Sequence, residues 1–157
     1  MAIKKNISVR LGVADLRRVK EIANRLDVKE SEIFRYAVKS LSTRLLPLLN
    51  RQLCGVSMLV ALLESGEDLL RYFEFDTQQL YKLISVGVPE GQRRVDIEDI
   101  EMLTIAVINP DYLAAQVSER IGGNIEPALA FEALRQYLFR KYQVRQYAVE
   151  NGEEKVS

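Results

Sequence analysis

Residues 4–11, KKNISVRL, alternate apolar and polar side chains at period two, the pattern of a strand with one covered face and one wet face. Ile7, Val9 and Leu11 share one side; Asn6, Ser8 and Arg10 share the other. Gly12 ends the segment and can cap a helix. Two helical periods follow, with no second strand between them. In 13–26, VADLRRVKEIANRL, the apolar positions are Leu16, Val19, Ile22, Ala23 and Leu26, with Arg and Lys opposite. In 29–46 they are Ile33, Phe34, Ala37, Val38, Leu41 and Leu45, and Pro47 stops this second helix. One strand and two short helices cannot bury enough surface to stand alone. The economical completion is a second copy of the chain, its strand paired antiparallel across a two-fold axis and four helices covering the shared apolar face.

The order strand, helix, short turn, helix in 5–41 resembles the ribbon–helix–helix fold of the Arc, MetJ and CopG type. The matching features are Val9-Arg10-Leu11 at the strand end, the Leu16, Val19 and Ala23 face, the Ser31-Glu32-Ile33 opening of the second helix and the small Ala37 within it. The resemblance covers about a quarter of the chain. It implies an intertwined homodimer whose β-ribbon enters the DNA major groove. On that reading Asn6, Ser8 and Arg10 contact bases. Arg10 suits a bidentate pair with guanine, Asn6 suits adenine, and Ser8 is a tolerant short donor or acceptor. Lys4 and Lys5 suit phosphates. The family also clamps a phosphate at the start of the second helix, where this chain offers Lys29 and Ser31. Glu30 departs from the pattern there, since its charge repels a phosphate.

A zero net charge conceals a division of sign. Residues 1–45 carry eleven Lys/Arg against five Asp/Glu, a net +6, and residues 46–157 carry eleven against seventeen, a net −6. A basic head on an acidic body suits a nucleic-acid module joined to a partner domain. The chain contains no histidine, which removes the commonest general base and metal ligand. The single cysteine, Cys54, has no intramolecular disulfide partner and reads as a small buried side chain. No metal, no cofactor and no enzymatic activity are expected. The amino terminus lacks a long apolar signal core, and 45–63 is interrupted by Pro47, Asn50, Arg51 and Gln52. A cytoplasmic protein without membrane contact is expected.

The body, 48–149, reads as a second, all-helical domain for oligomerisation or signal input, with a polar tail at 150–157. The expected helices are 48–64, a short one over EDLLRYFEF, one capped by Asp76, one capped by Asp96, one opened by Asn109-Pro110, and a long last one from Pro127 to Tyr147. The acids Asp96, Glu98, Asp99 and Glu101 read as a solvated first turn. Arg93 and Arg94 read as a solvated loop. Phe131, Tyr137, Phe139, Tyr142 and Tyr147 read as core or dimer packing, with Arg135, Arg140, Lys141 and Arg145 on the outer face.

The expected function is a sequence-specific transcriptional regulator, a repressor, that binds double-stranded DNA as a homodimer or higher homo-oligomer. An antitoxin of a toxin–antitoxin pair and a plasmid-partition or relaxosome accessory protein are the alternatives. A protein partner bound through the C-terminal domain is also expected.

Overall fold

The computed structural model describes residues 2–153, with side chains described through Tyr142. The side chains of Arg145 and Tyr147, and the end of the tail from 154, lie outside the described residues. The chain divides into two compact units, Met1–Leu46 and Pro47–Ser157.

The first unit is a helix pair preceded by an arm. Helix α1 spans Val13–Leu26 and starts from Gly12, whose carbonyl accepts the Leu16 N–H at 3.1 Å. It ends at Asp27, in the left-handed region at φ 52°, where the Val28 N–H closes back onto the Ala23 carbonyl at 3.0 Å. Helix α2, Glu30–Arg44, packs against α1. It stops three residues before Pro47, which sits in a 3-10 turn over Leu46–Leu49.

The expected ribbon is not there. Among the described residues there is no strand, and residues 2–12 form no regular element. An isolated alternating segment has no ladder to join, and backbone pairing, not alternation, makes a strand. Nor does the alternation separate a covered face from a wet one. Ile7 is 84% exposed and Val9 72%, like the polar residues between them. The fold is mainly α, as expected, but among the described residues it carries no strand to form a β-ribbon.

The second unit is a helical domain with a continuous core. Helix α3, Gly55–Ser65, is apolar nearly all round and buries Val56, Met58, Leu59, Ala61, Leu62 and Leu63, the mark of a central helix. It packs against α4 (Glu67–Phe73), α5 (Thr77–Ser85) and α8 (Ala130–Glu153). Helix α6, Ile97–Ile108, joins α5 to α7, Pro110–Ile121, and α7 lies along α8. On α8 the core contributors Ala130, Leu134, Leu138 and Tyr142 recur every fourth residue. The expected helix over 48–64 is shorter, because residues 50–54 turn before α3 begins. Gly55 explains the late start. It holds φ 59°, and a Cβ there would meet Val88 at 3.4 Å, so the 88–93 loop closes directly onto the helix end.

Two caps are legible as hydrogen bonds. The Asp76 carboxylate accepts from the Gln79 N–H at 2.7 Å, and Asn109 Oδ1 accepts from the Tyr112 N–H at 3.0 Å, with Pro110 at the first helical position. Replacing Asn109 with Ala should cost about 1 kcal/mol, read as a lower denaturant midpoint with unchanged slope. No change in midpoint would mean the α7 cap is not holding the helix start.

Candidate nucleic-acid interface

The first unit joins two features that rarely persist on an isolated domain. Its cations, Lys4, Lys5, Arg10, Arg17, Arg18, Lys20, Arg25, Lys29, Arg35, Lys39 and Arg44, are all exposed. Its apolar residues are largely uncovered as well. Among its described residues Ala23 is the one buried side chain, while Leu16, Ile22, Leu26, Val38 and Leu41 are exposed. Helical periodicity put all of these in a core, and a single chain leaves them at the surface. An apolar area of this kind beside a basic one marks an interaction surface.

The arm carries Lys4, Lys5, Asn6, Ser8 and Arg10 on one exposed stretch. Among the described residues none of the three expected base readers, Asn6, Ser8 and Arg10, is held by a hydrogen bond or ion pair. Their donors and acceptors face water. Arg18 instead pairs with Asp15 at 3.2 Å on the α1 surface, an exposed pair of little energetic weight.

The start of α2 is different. Lys29 is the N-cap and Ser31 is exposed in the first turn. The Lys29 side chain has no acceptor with which to cap, but the Glu32 carboxylate reaches back and accepts the Lys29 N–H at 3.0 Å. An anion therefore already occupies this helix end, and Glu30 adds a second negative charge beside it. A phosphate approaching Lys29 and Ser31 must displace or tolerate both. No hydrogen bond among the described residues joins this helix end to the arm.

The body contains a cluster that periodicity alone did not reveal. Asp99, expected in a solvated first turn, is 1% exposed. Its Oδ2 accepts from the Tyr142 hydroxyl at 2.5 Å and from the Lys141 ammonium at 2.6 Å. Lys141 also pairs with Asp96 at 2.7 Å, so Asp96 makes no side-chain cap on α6. The Tyr142 oxygen in turn accepts the Asp96 N–H at 3.0 Å. Arg93, expected in solvent, lies with its guanidinium 4.7 Å from the Tyr142 ring centre, and one of its terminal nitrogens is buried without a hydrogen-bond partner. The π face supplies the cation with its contact, while Arg94 is exposed. Cys54 is half-buried, its Sγ 3.5 Å from the Gly87 carbonyl.

This network ties α8 to the start of α6. Burial lowers the Lys141 pKa, but the hydrogen bonds to Asp96 and Asp99 and the charge of Asp99 outweigh it, leaving the ammonium above its ordinary range. Burial, then the hydrogen bond to Asp99, raises the Tyr142 phenol above its ordinary range. Neither group is a base at neutral pH, so the cluster is suited to holding helices rather than moving protons. The spacing of Asp96 and Asp99 hinted at it: three residues apart, they share a helix face. Nothing in the sequence paired that face with residues 141 and 142.

Among the described residues, no group of three His, Cys, Asp or Glu could hold a metal ion. No helix of the described residues is long and apolar enough to cross a membrane. No family model matches the chain, and no curated protein or solved structure matches it.

Removing the ammonium by Lys141→Met should leave Asp99 a buried charge lacking its ionic partner and cost the body about 3 kcal/mol or more. Both raised pKa values mean that the folded chain keeps protons the unfolded chain releases. The network's stabilisation is therefore full at neutral pH and is lost as pH rises above about 10. Denaturant melts of both chains between pH 7 and 11 check this. Equal stabilities at pH 7 would show that the network does not hold α8.

Proposed function

We propose that the chain is a DNA-binding transcriptional regulator that works as a homodimer through its first unit, in the cytoplasm. The observation that carries this reading is the coincidence of exposed cations and uncovered apolar residues on one small helix pair. A unit of forty-six residues, with one buried side chain among those described, does not make an independent fold. A second copy is the partner always present at equal concentration, and pairing α1 and α2 with their symmetry mates would cover Leu16, Ile22 and Leu41. The dimer then presents two arms and doubles the +6 of the head, a charge suited to a polyanion.

In this reading the arm carries specificity. Arg10, Asn6 and Ser8 are the base-reading side chains, and Lys4 and Lys5 are the phosphate anchors. Lys29 and Ser31 contribute less, because Glu32 already satisfies the helix end beside them.

The test is selection of bound sequences from a random DNA pool, followed by binding to the selected site and to random DNA. Arg10→Ala should weaken the selected site far more than random DNA, by about 1–3 kcal/mol for each base pair no longer read. Lys5→Ala should weaken both about equally and reduce the salt slope by roughly 0.9 for each phosphate no longer neutralised. No enriched sequence, or an Arg10→Ala chain that keeps its sequence preference, would overturn the reading.

A further inference from the structure

We draw no further inference here: the strongest candidate, the open groove along the outward side of α8 lined by Glu64, Glu132, Arg135, Phe139 and Arg140, carries nothing, because Glu132 is already paired with Arg135 and bonded by Gln136 and nothing in the structure shows what covers the groove.

Discussion

The first unit has more apolar surface than it can cover by itself. A helix pair offers one seam, and here, among the described residues, it fully buries Ala23 alone and leaves Val19, Ile33 and Phe34 half-covered. The conformational entropy of ordering α1 and α2 is offset only if Leu16, Ile22, Val38 and Leu41 leave water. Everything proposed about the head follows from that shortfall. In the proposed dimer a second copy completes it, and the two-fold completion would set paired basic surfaces and paired arms side by side.

The body solves the same problem within one chain. Helix α3 is surrounded, α8 supplies a residue to the core at every turn, and Asp99 carries the polar junction between α8 and α6. Burying a carboxylate is costly, and it is tolerated here because a phenol and an ammonium both donate to the same oxygen. Such a junction adds registry: α8 cannot slide by a turn without separating Tyr142 and Lys141 from Asp99.

Local signals were legible in the sequence where one residue's chemistry settles one hydrogen bond. Asp76 and Asn109 cap the helices they were expected to cap, because a short side-chain acceptor needs only its own next turn. Asp96 looked like an equal case, yet its carboxylate turns to Lys141, a partner forty-five residues away that no local pattern names. The same gap in range hid the burial of Asp99 and the stacking of Arg93. The alternation in 4–11 misled for a related reason. It reports which side chains could share a face, but a strand also needs a paired backbone, and that information lies in another segment. The α2 start is half legible: the charge of Glu30 is hostile to a phosphate on sight, whereas the capping by Glu32 shows only in the fold.

The proposed dependence of the head on a second copy is tested directly by amide hydrogen exchange of the full chain across a dilution series, with sedimentation reporting the oligomer present. Protection of α1 and α2 should rise and fall with the dimer population, while α3 and α6 stay protected throughout. Equal protection of α1 and α2 at concentrations where the chain is monomeric would contradict the account.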